Sequence, residues 1–330
     1  MASCRLRASN KSLKPTPQAF GLRGSLAQPL SRSQDREVVG VGGLAVSKER
    51  VLSGSESASR VQGVLVGADG LRSRVGVLVL AGSSGRVDVE RARSFAHLGA
   101  VALAQRWFGG SGQAKGICEI PLEEFVRGVD LLVEVGASRV VVVGVSKGAE
   151  GALHLSVVDD RVDGVVALSP SSVSWANVGA GLDGQMTPAR SSWSWCGEPL
   201  PFVPYDPAWV DPDPPVSYRA LYESSLVVFA DRVAEASIPV ERAQAKIVAV
   251  AGGDDQMWPS LLFAQHLEAR RGGVGFELIV GKDAGHRITF PGETAAPDRA
   301  AVYAYGGSQA ADEALGGVAW RAALRLAHLD

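Results

Sequence analysis

The chain has 330 residues, 46% of them hydrophobic and 21% charged, with a net charge of −2. That balance gives a globular protein with apolar surface to spare for a core, and its charge favours neither nucleic acid nor an anionic membrane. No apolar run reaches the roughly 18 residues a membrane helix needs, and the scattered Cys4, Cys118 and Cys196 show neither metal-ligand spacing nor the pattern of a disulfide scaffold. A reducing, cytoplasmic setting follows as the expectation, with no metal and no organic cofactor.

Residues 1–34 hold six Lys or Arg and no acid, among many Ser and Pro. Such a segment buries little and reads as part of a disordered arm over residues 1–60; an organelle transit peptide is the alternative. From Val61 onward, short Val-rich runs alternate with longer amphipathic stretches. The runs are 61–67, 75–83, 100–108, 139–146, 163–171, 245–255 and 275–281. Most are continuously apolar, as strands covered on both faces are.

Between them, 121–136 places Leu122, Phe125 or Val126, Val129 and Leu132 at helical spacing, with Pro121 at the first turn. The stretch 258–273 stops on Arg-Arg-Gly-Gly, and 313–329 closes the chain as an amphipathic helix. Strand–helix alternation with right-handed crossovers gives an α/β, mostly parallel, doubly wound sheet over 61–330. Residues 173–244 interrupt it with four tryptophans and a proline-rich stretch. They read as a lid insertion, or else as a subdomain that only covers the sheet. No internal repeat is evident.

The strand at 139–146 runs into Gly144-Val145-Ser146-Lys147-Gly148 and then into a helical pattern. This is G-x-S-x-G in the context of a nucleophile elbow. The turn admits only small residues two before and two after Ser146, and it presents the hydroxyl at the strand's carboxyl end. The bland alternative is a helix N-cap. A serine needs a base, and α/β-hydrolases carry serine, acid and histidine in that order. His286 lies in a late strand-end loop, whereas His154, His266 and His328 fall within helical stretches and His97 precedes the serine. The acid follows the strand 245–255, where Asp255 is favoured over Asp254; either could instead cap the following helix.

Oxyanion donors are expected from the backbone N–H of Lys147 and from Ser83 or Ser84, in the glycine-flanked turn after an early strand. The Lys147 side chain is a cation in the first turn of a helix, against the dipole. It is expected to point into solvent, with a substrate group or a neighbouring carboxylate as the other possibility.

Residues 116–125, 144–153, 172–179, 238–258, 283–288 and 319–329 together resemble the C-terminal domain of the bile-acid-CoA:amino-acid N-acyltransferase and acyl-CoA thioesterase family. The resemblance implies an α/β-hydrolase fold and attack on an acyl thioester, with Ser146 as nucleophile, Asp255 as acid and His286 as base. Conjugating members of the family typically carry cysteine at the nucleophile, so serine here resembles the thioesterases and favours water as acceptor. Full-length members also carry an N-terminal β-sandwich, which residues 1–60 do not suggest. Arg86, Arg91 and Arg93 are loose candidates for CoA phosphates. The expected partner is therefore a small acyl thioester or ester, with neither nucleic acid nor a membrane span involved. An acyl-CoA:amino acid N-acyltransferase, a carboxylesterase, a peptidase or amidase, and a non-catalytic binding module are the alternatives.

Overall fold

In a computed structural model of the chain, the described residues are 35–38, 47–54, 60–67, 74–179, 181–182, 184–185, 188–294 and 300–330. The reading of residues 1–34 lies outside them.

Apolar runs become strands where the sequence places them. These are β3 (Gln62–Val66), β4 (Val75–Leu80), β5 (Val101–Arg106), β7 (Arg139–Val145), β8 (Val162–Leu168), β11 (Lys246–Gly252) and β12 (Phe276–Gly281). Two further strands, β1 (Asp35–Val38) and β2 (Ser47–Ser53), extend the sheet on the β3 side. The sheet order is β1-β2-β3-β5-β4-β7-β8-β11-β12, antiparallel from β1 to β5 and parallel from β5 to β12. The sheet thus begins upstream of residue 61, with Asp35–Val38 and Ser47–Ser53 as its first strands. Strand β2 reads Ser-Lys-Glu-Arg-Val-Leu-Ser, too polar to stand out as a buried strand.

Side chains alternate between two cores, which is why continuous valine runs suit these strands. Leu78, Leu80, Val140, Val142 and Val165 pack on one face against α2 (Glu123–Glu134) and α3 (Lys147–Val158). Val77, Val79, Val141, Val143 and Val166 pack on the other against α1 (Val89–His97) and α7 (Gln309–Ala327). Leu122, at the start of α2, and Phe125, Val129 and Leu132 on it are buried as their spacing requires, although Pro121 sits in the two-residue strand β6 (Ile120–Pro121), just ahead of the helix. Helix α6 (Ser260–Arg271) ends at Gly272, whose φ of 66° suits the left-handed cap that glycine supplies. This mostly parallel sheet, helix-covered on both faces, is an α/β-hydrolase fold.

The excursion after β8 contains β9 (Trp193–Trp195), β10 (Glu198–Pro199), α4 (Arg219–Val228) and α5 (Ala230–Ala236). Strands β10, β9 and β6 form a small second sheet. Trp175 and Trp193 are fully buried. These two indoles are packing residues rather than an open apolar surface.

Candidate active site

Strand β7 delivers Ser146 at φ 55° and ψ −121°, a region a non-glycine residue occupies only when its surroundings enforce it, at a cost of about 1–3 kcal/mol. Its amide donates to the Leu168 carbonyl at the end of β8 (2.9 Å). Its carbonyl accepts from the Ala149 and Glu150 amides and so starts α3. The flanking glycines are sterically required. A β-carbon at Gly144 would lie 2.4 Å from the Gly148 carbonyl oxygen, and one at Gly148 would lie 2.4 Å from the carbonyl oxygens of both Leu80 and Ala81. The elbow is therefore wedged between its own helix and β4, with Ser146 half-exposed at the rim.

His286 and Asp255 meet. His286 Nδ1 lies 2.8 Å from Asp255 Oδ2, and Asp255 is fully buried. The other carboxylate oxygen accepts from the amides of Met257 (2.9 Å) and Trp258 (3.3 Å), so one residue both braces its own turn and orients the imidazole. Asp254 does neither: it is exposed and bonded to Gln256 and to the Gly307 amide. A carboxylate accepts, so the imidazole tautomer that fits this contact donates from Nδ1 and carries its acceptor at Nε2.

Three residues that the sequence did not mark hold this loop. Ser169 Oγ donates to the His286 carbonyl (3.1 Å), directly after the Leu168 carbonyl that binds the Ser146 amide, so the end of β8 ties both segments together. Trp258 sets its ring nearly perpendicular to the imidazole, with centroids 5.9 Å apart. On α7, Asp312 Oδ1 accepts from the Gly285 amide (2.7 Å). Burial pushes the Asp312 carboxyl up, the Gly285 bond opposes this, and the nearby Asp255 charge adds to the rise. Ser169 could have been suspected from its place just past a strand end, whereas nothing in the closing helix distinguishes Asp312.

The turn after β4 lies beside the serine. A β-carbon at Gly82 would stand 3.2 Å from Cβ and 3.8 Å from Oγ of Ser146. Ser83 and Ser84 follow, both exposed. As the first residue of α3, Lys147 offers an N–H with no intrahelical acceptor.

The Lys147 side chain does not reach solvent. It is 2% exposed, its Nζ lies 2.8 Å from Glu150 Oε2, and it sits over the Trp193 ring at 5.5 Å. Of the two sequence readings, the neighbouring carboxylate is the one observed. The elbow turns this first helical turn inward, so positions 147 and 150 face the core. Burial drives the Lys147 ammonium below the usual lysine range, and Glu150 opposes that shift.

His154, one turn further along α3, shares a 2.7 Å hydrogen bond with Ser174. Both are buried, so this serine–histidine pair is closed to substrate. Burial, helped by the Lys147 charge, lowers the His154 pKa from its ordinary 6.5 to about 3. The unfolded chain then binds this proton first. Stability should be intact above pH 6.5 and should fall as pH drops toward about 3, by up to ~1.4 kcal/mol per pH unit. Urea unfolding across this window checks it: His154→Gln should flatten the slope, and an unchanged slope would refute the assignment.

The arginines considered for CoA phosphates are mostly committed elsewhere. Arg91 makes a buried two-pronged bond to Glu293, and Arg93 is bonded to Glu49. Arg86 is exposed, 3.7 Å from Asp88. Among the described residues, no group of three or more His, Cys, Asp or Glu could hold a metal ion, and no helix is long and apolar enough to cross a membrane. Cys118 is a buried free thiol.

The family described as BAAT / Acyl-CoA thioester hydrolase C terminal matches residues 120–326, well over half of the chain. No curated protein matches it. Solved structures similar to it include a dienelactone hydrolase-like promiscuous phosphotriesterase from metagenomic libraries, at 17% identity and TM-score 0.49, covering 86% of this chain and 98% of that one. Another is acetyl xylan esterase 1 from Thermoanaerobacterium, at 14% identity and TM-score 0.48, covering 91% and 89%. A third is an esterase of Pyrococcus furiosus, at 15% identity and TM-score 0.44, covering 76% and 83%.

Proposed function

We propose, from the premise that this chain belongs to the BAAT / acyl-CoA thioester hydrolase C-terminal family, that it is a serine hydrolase cleaving acyl thioesters, acyl-CoA first among them. The observation that carries the reading is the bond between His286 and the buried Asp255, at the strand ends beside which Ser146 stands in its strained turn.

Ser146 Oγ attacks the thioester carbonyl carbon as His286 Nε2 takes its proton, and Asp255 stabilises the resulting imidazolium. The negative oxygen of the tetrahedral intermediate is received by the Lys147 N–H and by an N–H of Ser83 or Ser84. Collapse breaks the carbon–sulfur bond, and His286 returns its proton to the departing thiolate. Water then gives a proton to His286 and attacks the acyl-serine; the second tetrahedral species expels Ser146, which recovers the proton, and the free acid leaves. These steps use no group beyond the chain's own residues and water.

The test is turnover of an acyl-CoA series and of p-nitrophenyl esters, with and without glycine or taurine. Free acid and CoA thiol from the acyl-CoA series are expected. Amide product would make the chain an N-acyltransferase, and cleavage of oxygen esters alone would make it a carboxylesterase. No turnover, together with no labelling by a fluorophosphonate, would leave a binding module.

A further inference from the structure

Glu150 is the one fully buried acid on the helix that Ser146 opens, and its oxygens are divided between two tasks. Oε2 takes the Lys147 ammonium at 2.8 Å. Oε1 takes two donors from separate points of the excursion after β8: the Trp193 indole N–H at 2.6 Å and the Trp175 backbone N–H at 3.1 Å. The contacts continue past Trp193. Its ring packs on Trp107 with centroids 5.4 Å apart, and the Trp107 indole N–H donates to the Ala81 carbonyl (3.1 Å), immediately before Gly82 and the Ser83–Ser84 turn. Both sides of the proposed oxyanion site are therefore joined beneath the surface. One end is the Lys147 turn, the other the loop after β4, and Glu150, Trp193 and Trp107 link them.

Apolar residues could fill this space at less desolvation cost than an ion pair, so burial alone does not account for a lysine and a glutamate here. What the charges add is direction. A carboxylate held on one side by an ammonium can accept from two N–H groups at once, which fixes where the indole sits.

We propose that Glu150, paired with Lys147, is a positioning residue: it clamps Trp175 and Trp193 onto α3 and, through Trp193 and Trp107, sets the Ala81–Ser84 turn against Ser146. The inference rests on the serine-hydrolase reading for its catalytic consequence, but the clamp itself is physical and can be measured without turnover.

Glu150→Gln keeps the shape and one accepting oxygen but loses the charge, while Trp193→Phe keeps a ring and loses the indole N–H. Hydrogen exchange of residues 81–88 and 172–195 is followed in the full chain, alongside kcat and KM on a p-nitrophenyl ester. Exchange in both segments is expected to quicken in each variant, roughly fivefold, as for the loss of one hydrogen bond. The kcat is expected to fall by about tenfold to a hundredfold with KM little changed. A purely structural role would speed exchange around residue 193 and leave kcat intact, and that result overturns the proposal. Unchanged exchange in 81–88 also overturns it, since the link across Trp107 would then carry nothing. If Glu150→Gln does not fold, Trp193→Phe decides alone. If the wild type neither turns over nor labels at Ser146, the hydrolase reading fails, while the exchange data still decide the clamp.

Discussion

Ser146→Ala is expected to lower kcat/KM on acyl-CoA or p-nitrophenyl ester by about 10⁴-fold or more, to abolish labelling by a fluorophosphonate, and to leave thermal unfolding close to that of wild type. The size follows from what alanine removes. On the proposed mechanism no acyl-enzyme forms without the oxygen, and His286 and the proposed oxyanion donors can only assist direct attack by water. The small stability effect follows from what alanine keeps. The strained turn is enforced by the close approach of Gly148 to the carbonyls of Leu80 and Ala81 and by the amide bond to Leu168, not by the hydroxyl. Retention of more than a tenth of wild-type turnover would remove Ser146 from the nucleophile's role. A large drop in melting temperature would mean that activity was lost through the fold instead.

The elbow could be read in the sequence because its constraint is local and steric. Two glycines around a serine, after four valines, describe a turn that nothing larger fits, and the contacts of Gly144 and Gly148 show why. The meeting of His286 with Asp255 was legible for a related reason: each lies in the loop after a strand run, and parallel strands bring their carboxyl ends to one side of the sheet. Asp255 was already favoured over Asp254 in the sequence, and the backbone path after β11 buries the first and exposes the second.

What stayed hidden depends on contacts far apart in the chain. Lys147 and Glu150 stand three apart on a helix and could have been paired on paper. Nothing local says that the elbow turns this face inward, or that tryptophans 25 and 43 positions beyond Glu150 close over it. Lys147 therefore read as a solvent cation. Strands β1 and β2 were missed for a different reason. They pair antiparallel, and their polar residues do not advertise a place in a sheet.

The buried pair makes the second large prediction. Lys147→Met removes the ammonium and leaves the Glu150 carboxylate at 0% exposure with two N–H donors but no counter-charge. Breaking one side of such a pair is expected to cost about 3–5 kcal/mol, read as a lower midpoint in urea at constant m. The double variant Lys147→Met with Glu150→Gln should regain most of that loss: no charge is then buried, and the amide oxygen can still accept from Trp175 and Trp193. Glu150→Leu in place of Gln should not rescue, because both N–H groups would be buried without an acceptor, at about 1–3 kcal/mol each. The contrast between Gln and Leu separates charge from hydrogen bonding, as a single substitution cannot. If Lys147→Met shifts stability by less than about 1 kcal/mol, the ammonium behaves as an exposed surface ion does. The inward-facing pair would then be refuted, and with it the counter-charge that holds the Glu150 carboxylate beneath the tryptophans.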